Sequence, residues 1–322
     1  MHIAGGTHVS AVPESAIHNG FDFVIAGEGE EALPALIRQL SANTDTSALP
    51  RVIRSPLQPG VDLNAFPPFP EKIHKLNPIE ITRGCLYACR FCQTAFLFGT
   101  KYRHRSVEHI AYYAGLLVQR GGRFLRMTTP SAFSYGSDQA APRLDQVETL
   151  LRTLRKVMGP NRKIYFGTFP SEIRPEHITP ESMRLLKHYA DNDNIIIGAQ
   201  SGSETVLRNC HRTAHPDQVI QATDCALRSG FRVNVDFIFG LPGEGEKERQ
   251  ETLSLIRRLT TMGARIHAHW FMPIPGTPFA HEPAGAPDPL FWKHLHALMA
   301  EGKIYGQWIK QLKIANTQIT HH

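Results

Sequence analysis

The chain's most telling chemistry-bearing residues are Cys85, Cys89 and Cys92, in the run Thr-Arg-Gly-Cys-Leu-Tyr-Ala-Cys-Arg-Phe-Cys from residue 82 to residue 92. Three thiolates on one short loop hold a cubane [4Fe–4S] cluster and leave one iron open to a substrate or cofactor. A structural zinc site takes four ligands, usually as two pairs, and a ferredoxin takes a fourth cysteine at regular spacing. Neither pattern is present, because Cys210 and Cys225 lie more than a hundred residues downstream. A structural metal knot or three unrelated thiols is the competing reading, but C-x3-C-x2-C is unlike the usual zinc spacings.

Such a loop must be positioned by the elements around it. From residue 77 to 271 short apolar runs alternate with longer amphipathic ones. Strands are predicted over 79–82, 124–129, 163–168, 195–200, 232–239 and 265–271, and helices over 107–119, 144–158, 180–190, 217–229 and 246–262. In the last helix Leu253, Ile256, Leu259 and Met262 recur at helical spacing. This alternation argues for a parallel sheet with right-handed crossovers. The fold class is therefore α/β: a partial (β/α)6 TIM-like barrel with a small N-terminal α/β fragment and a C-terminal helical extension. In such barrels chemistry gathers at the carboxyl ends of the strands, which is where the cysteine loop falls.

Other polar residues share that rim. Phe169-Pro-Ser-Glu-Ile-Arg174 places Ser171, Glu172 and Arg174 after the third strand, with helix capping by Ser171 as the alternative. After the fourth strand, the segment from Gly198 to Arg212 contains Gln200-Ser-Gly-Ser203. A side-chain amide, two hydroxyls and a glycine at a helix start suit a ribose and a carboxylate. His267 and His269, two apart on a strand, point to one face. With Glu172 they are the candidates for touching substrate or passing protons, although satisfied structural histidines are the plainer reading. Gly240 and Gly243 serve a turn, Glu244 favours the next helix start, and Cys210 and Cys225 read as buried thiols.

The 322 residues, 42% of them hydrophobic, suffice for one large domain with an appendage. Five cysteines make no disulfide framework, so a reducing, cytoplasmic setting is expected. Met1-His-Ile-Ala-Gly-Gly6 has no leader features, and no apolar run approaches the roughly 20 residues of a membrane span, so no membrane association is expected. The net charge of +6 and pI near 9.1 permit an anionic partner without requiring one. Nucleic acid is not favoured, for lack of an aromatic-basic platform. Arg83, Arg90, Lys101, Arg103 and Arg105 lie close to the cysteine loop in sequence, where anionic cofactors give positive charge a reason.

Residues 41–70 read as a linker: a polar run over 41–47, then Pro56, Pro59, Pro67, Pro68 and Pro70 breaking regular structure. Residues 71–280 form the core, and 281–322 an extension in which Phe291, Leu295, Leu298 and Met299 mark an amphipathic helix that Trp308 and Leu312 continue. His321-His322 is given no metal role.

The cysteine loop resembles the signature of the radical S-adenosylmethionine (SAM) superfamily, including the aromatic Phe91 before the third cysteine. The resemblance implies that Phe91 packs on the adenine of SAM, which chelates the open iron through its amino and carboxylate groups. The reduced cluster passes one electron into the sulfonium, giving methionine and a 5′-deoxyadenosyl radical that takes hydrogen from an unreactive C–H bond. The barrel positions the group and excludes water. A protein electron donor such as flavodoxin or ferredoxin is implied. Where the family often has Gly-Gly-Glu, this chain has Thr128-Thr-Pro-Ser131. Backbone carbonyls near Thr129 and Pro130, beside Ser131, are then the expected contacts, with no carboxylate evident. The Gln-Ser-Gly-Ser segment resembles one shared by methylthiotransferases and cobalamin-linked radical SAM enzymes. It assigns Gln200, Ser201 and Ser203 to the SAM ribose and Arg212 to its carboxylate.

Residues 1–40 resemble the last third of the cobalamin-binding domain that precedes many radical SAM domains, with a Gly5-Gly6 turn, a strand over 21–26 and Gly27-Glu-Gly-Glu30 opening a helix. That domain's Asp-x-His-x-x-Gly motif is absent, since none of the 17 histidines has Asp two positions before it. Cobalamin binding by this chain alone is therefore doubtful. The segment reads as a piece of a longer gene product or a vestige, which must pack against the barrel. The implied activity is methylation or rearrangement of a small molecule or peptide. One alternative is a tRNA-modifying methylthiotransferase, a class that normally adds a C-terminal RNA-binding barrel and three further N-terminal cysteines. Another is a non-catalytic cluster-binding remnant, against which the intact cysteine loop argues.

Overall fold

The computed structural model describes residues 1–42, 48–56, 59–72, 75–286 and 288–318. Most of the polar run over 41–47 lies outside them, as does His321-His322. The N-terminal segment comprises β1 (Ile3–Ala4), α1 (Thr7–Ala11), α2 (Pro13–His18), β2 (Phe23–Ala26), α3 (Gly29–Ser41) and β3 (Val52–Arg54). Its three strands are parallel in the order β1-β2-β3. β2 is buried throughout: Val24 packs with Ala4 and Ala16, whereas Phe23 and Ile25 pack with Leu36 of α3. Successive strand residues point to opposite faces, so both faces of this small sheet are covered. The supposed linker thus contains a strand. Val52, Ile53 and Arg54 pair with Val24, Ile25 and Ala26, because β2 offers them an open edge.

The core follows as β4 (Ile79–Glu80), β5 (Thr82–Arg83), α4 (Thr94–Phe98), β6 (Arg103–His104), α5 (Val107–Gln119), β7 (Phe124–Thr128), α6 (Leu144–Met158), β8 (Lys163–Tyr165), α7 (Pro180–Tyr189), β9 (Asn194–Gln200), α8 (Glu204–Asn209), α9 (Pro216–Arg228), β10 (Arg232–Phe239), α10 (Glu246–Thr261) and β11 (Arg265–Trp270). The chain closes with α11 (Pro289–Ala300), β12 (Ile304–Gly306) and α12 (Trp308–Gln318). Parallel pairing runs β4-β7-β8 and β9-β10-β11-β12. The two arcs meet where Ile173 bridges Ile197 and the Ile196 amide donates to the Gly167 carbonyl. This is the partial barrel that the alternation of strands and helices predicts.

Two details differ from expectation. The strand predicted over 79–82 is split, with β4 in the barrel and β5 antiparallel to β6. The C-terminal helix does not run through Trp308: β12 intervenes, pairs with β11 and adds a seventh barrel strand. Gly302 and Gly306, at φ 69° and 127°, occupy the left-handed region that only glycine enters cheaply, and so bound that short strand.

Alternation sets what the barrel interior contains. On β10, Val233, Val235, Phe237 and Phe239 join the main core with Leu253, Ile256 and Leu259 of α10. Asn234 and Asp236, on the opposite face, remain half-buried in the interior. The N-terminal segment is tied to this barrel by Glu28, just before α3. Its carboxylate accepts from the Val61 amide (2.8 Å), Arg83 Nη1 (3.0 Å) and both terminal nitrogens of Arg103 (3.0 and 2.6 Å). No helix among the described residues is long and apolar enough to cross a membrane.

Candidate functional site

The cysteine loop leaves β5 through Gly84 at φ 82°. A Cβ there would collide with the Lys101 carbonyl, so both conformation and space demand glycine. The loop is pinned by Cys85 N–H to the Gly99 carbonyl (3.1 Å), Cys92 N–H to the Cys89 carbonyl (2.9 Å) and Arg90 N–H to the Cys210 carbonyl (3.0 Å). The three thiols are free and line one small cavity of about 80 Å³. Burial pushes Cys85 and Cys92 up, and their proximity to Cys89 adds to it. A coordinated metal centre would deprotonate thiols held this way.

The remaining walls of that cavity come from separate elements. Phe91, Pro130, Ser131, Glu172, Arg174 and Arg212 all face it. Phe91 also packs on the apolar cluster of Val206, Cys210, Leu241, Phe271 and Phe279. Arg212 is buried, donates from Nη2 to the Gly198 carbonyl (2.5 Å), and lies 3.4 Å from Glu172 Oε1. Gln200 Nε2 donates to Glu172 Oε2 (3.3 Å). Gln200 is a non-glycine residue at φ 73°, beside a register irregularity between β9 and β10. Strain at such a position points to function. Ser131 Oγ, Ser203 Oγ and Arg212 Nε are buried without hydrogen-bond partners, whereas buried polar atoms are ordinarily paired. Arg174 is held by Glu176 and Thr213, with its guanidinium 3.4 Å over the Tyr87 ring.

Across Thr94, Pro130 and Glu172, which line both spaces, lies a larger cavity of about 360 Å³ inside the barrel. Its walls include Thr129, Ser171, Asp236 and His267. His267 Nδ1 lies 3.0 Å from Asp236 Oδ1. Burial raises Asp236 and the charge of Glu172 adds to it, against the hydrogen bond to His267. His269 stands behind His267, ring centroids 4.3 Å apart. Burial lowers it to about 4, so it is neutral. Its Nδ1 accepts from Gln311 Nε2 (3.3 Å), because Gln311 Oε1 is already taken by the Trp270 amide (2.9 Å). Ligand atoms of Asp236, His267 and His269 all lie within 4.8 Å of one another.

Several expectations need correction. Gln200, Ser201 and Ser203 line neither cavity. The Ser201 hydroxyl is committed to the Ser203 amide (3.1 Å) and Thr252 Oγ1 (3.3 Å), which ties β9 to α10. Ser171 caps no helix. Its hydroxyl accepts from the Thr129 amide (3.1 Å) and donates to the Met127 carbonyl (2.9 Å), clipping two rim loops together. The carboxylate thought missing beside Thr129 and Pro130 arrives from the next loop as Glu172, whose carbonyl also accepts the Ala132 amide (3.0 Å). The cations near the loop in sequence do not face it. Arg83 serves Glu28, Glu30 and Glu80, Arg103 serves Glu28, and buried Arg105 serves the Glu80 and Phe66 carbonyls. The cations at the thiols are instead Arg174 and Arg212. Asp236 escaped the sequence reading, although an acid in the inward register of an apolar strand was its signal.

The profile described as the radical SAM superfamily matches residues 79–256, more than half of the chain. Among curated proteins, threonylcarbamoyladenosine tRNA methylthiotransferase MtaB of Thermotoga maritima is 27% identical over 229 residues, covering 70% of this chain and 50% of that protein. The tRNA-2-methylthio-N(6)-dimethylallyladenosine synthase of Natranaerobius thermophilus is 28% identical over 189 residues, covering 56% and 39%. The chain spans about half the length of the curated relatives it matches. Among solved structures, the radical SAM methyltransferase TsrM from Kitasatospora setae, with cobalamin and a [4Fe–4S] cluster bound, superposes with a TM-score of 0.68 at 17% identity, covering 88% of this chain and 61% of that one. The cobalamin-dependent radical SAM enzyme OxsB does so with 0.60 at 20% identity, covering 79% and 38%. These two likenesses are of fold.

Proposed function

The chain belongs to the radical SAM superfamily, whose members use a [4Fe–4S] cluster and SAM, and on that premise we propose that it is an enzyme whose own residues serve that chemistry as follows. Cys85, Cys89 and Cys92 hold the cluster. When bound, the cluster supplies one-electron reductive cleavage of SAM to a 5′-deoxyadenosyl radical. Arg212 faces the SAM carboxylate. Glu172, steadied by Gln200, and the carbonyls of Thr129 and Pro130 take its amino group. Phe91 packs on the adenine, and the Ser131 hydroxyl is the unspent donor for the rest. The observation that carries this reading is convergence: three free thiols share one cavity with Ser131 and Arg212, each of which has a buried polar atom without a partner.

The substrate then occupies the 360 Å³ cavity, a volume typical of small-molecule sites. His267, oriented by Asp236, is the side chain there suited to moving a proton. We favour methyl transfer to, or rearrangement of, a small molecule or peptide. Methylthiolation of tRNA is the second reading, favoured by the curated relatives. Five free cysteines suit a reducing cytoplasm. Another cavity of about 380 Å³, lined by Gly5, Gly6, Gly27 and Gly29, lies on the N-terminal segment and shares Arg83 and Phe98 with the substrate cavity. It lies where the resemblance puts part of a cobalamin. Its lining holds no histidine, and none of the steps above passes through it.

The test is anaerobic reconstitution with iron and sulfide, followed by reduction with SAM present. Cluster absorbance and 5′-deoxyadenosine are expected from the native chain, and neither from Cys85→Ala, Cys89→Ala or Cys92→Ala. Absence of both from the native protein would sink the reading. Adding bulk tRNA separates the two substrate classes.

A further inference from the structure

The proposed chemistry consumes one electron per SAM cleaved, and the electron must reach the cysteine cavity from outside. Two approaches to that cavity are occupied. Toward the barrel it shares Thr94, Pro130 and Glu172 with the space assigned to substrate. Behind Phe91 it is closed by Val206, Cys210, Leu241, Phe271 and Phe279. The third side is different. An open groove of about 570 Å³ on the outer surface is lined by Tyr87, Leu207, Arg208, His211, Arg212 and Thr213. Tyr87 and Arg212 also line the cysteine cavity, so a single layer of side chains separates groove from thiols. The wall is thin in its backbone as well: the His211 carbonyl lies 3.9 Å from Cys89 Sγ, and His211 holds φ at 56° to place it there.

We propose that this groove is the docking site of an acidic electron-carrying protein, which delivers its electron past Tyr87 and Arg212. The inference rests on the radical SAM reading above. Charge supports the choice of occupant. The Arg208 side chain is exposed and has no ion pair or hydrogen bond among the described residues. Arg212 stands at the groove floor with Glu172 Oε1 3.4 Å away, and the acid in the lining, Glu204, lies 3.2 Å from His215 Nδ1. The whole chain is basic, at +6, which favours encounter with an acidic partner. Electron-transfer encounters are small and transient, and their rim charges act chiefly on association rate.

The test uses the reconstituted full chain with a purified acidic flavodoxin, reduced to its hydroquinone for the kinetic arm, as the probe. Arg208→Glu is expected to slow flavodoxin-driven bleaching of the cluster, followed by stopped-flow absorbance, about tenfold at low salt. The gap should close toward parity at roughly 0.5 M salt, where the Debye length falls to a few ångströms. Dithionite-driven SAM cleavage should be unchanged. Arg208→Lys should behave as the native chain, as should Arg184→Glu, the same charge change on an exposed arginine of α7 outside the groove. Calorimetric binding of flavodoxin to the cluster-free protein gives a second readout, in which Arg208→Glu should weaken affinity about tenfold. An Arg208→Glu variant with native flavodoxin kinetics overturns the docking site, as does one that loses the dithionite and flavodoxin reactions equally. If the native chain cleaves no SAM even with dithionite, the functional reading fails instead. The binding arm then decides the docking site alone, for it if Arg208→Glu weakens binding and against it if not.

Discussion

Glu28→Ala removes one carboxylate from the junction between the N-terminal segment and the strand that leads into the cysteine loop. The side chain is buried, at 6% exposure, and serves three donors: the Val61 amide, Arg83 and Arg103. The donors do not suffer equally. Arg83 keeps Glu30 and Glu80, each at 2.7 Å. Arg103 keeps only the carbonyls of Val61 (2.9 Å) and Phe98 (3.1 Å) and loses its carboxylate. Removing one partner of a buried ion pair costs about 3–5 kcal/mol. Arg103 retains 17% side-chain exposure and two acceptors, which places the expected loss at the lower end, about 3 kcal/mol. Unfolding entropy of about 2.1 cal/mol/K per residue makes that about 4–5 °C in Tm for a chain of this length. Glu28→Gln keeps one acceptor but turns an amide N–H₂ toward the guanidinium, and about 2 kcal/mol is expected. Burial raises the Glu28 carboxyl, but hydrogen bonds from Arg103, Val61 and Arg83 outweigh it and hold the group below its ordinary value. Its stabilisation is therefore present above the ordinary carboxylate range and is lost as pH falls through the lowered value. The gap between native chain and Glu28→Gln should close in acid. Urea denaturation followed by circular dichroism between pH 3 and 8 measures both effects, and limited proteolysis should find the N-terminal segment cut first. A loss under about 1 kcal/mol at pH 7 would refute the buried-pair argument, because that is the range of exposed pairs.

Two further perturbations probe the rim and the turn before α10. A Cβ on Gly198 would sit 2.5 Å from Glu172 Oε2 and 2.6 Å from Arg212 Nη2, so Gly198→Ala should separate that pair. SAM affinity, by equilibrium dialysis on reconstituted protein, is expected to fall about tenfold, or about 1.4 kcal/mol, with Tm lowered by a few degrees as the buried pair is loosened; native affinity would show that the pair does not position SAM. Burial lifts Glu244 to about 7, its Oε1 has no partner, and its Oε2 accepts from the Gly240 amide (2.5 Å). With the folded value raised, its contribution to stability is full below the unfolded carboxylate value and is lost as pH rises through about 7. Glu244→Gln, which mimics the protonated acid, should change urea stability little at pH 5 and raise it by about 2 kcal/mol at pH 8; a gain independent of pH would contradict this.

Local pattern carried some elements and could not carry others. Helices over 107–119 and 144–158 and the strand over 232–239 have the bounds their periodicity predicts, because period and length are properties of the segment itself. β3 and β12, three residues each, show no period that can be read, and they exist because β2 and β11 offer them backbone partners. The candidate site divides along the same line. Three thiols that share one cavity had to come from one short loop, so their spacing was legible. The cations beside them in sequence were misleading, since Arg83 and Arg103 reach Glu28, 55 and 75 residues away. Arg212 reaches Glu172 across 40 residues, and His267 reaches Asp236 across 31. Those pairs depend on strand register. Asp236 stands directly opposite His267 in the β10–β11 pairing, and a slip of one residue would turn it into the apolar layer beneath α10. The groups that would make the radical therefore sit on one contiguous loop, while those that would receive SAM and substrate are assembled by the barrel. Substitutions that loosen the barrel without touching the loop should accordingly spare iron content and impair SAM binding first.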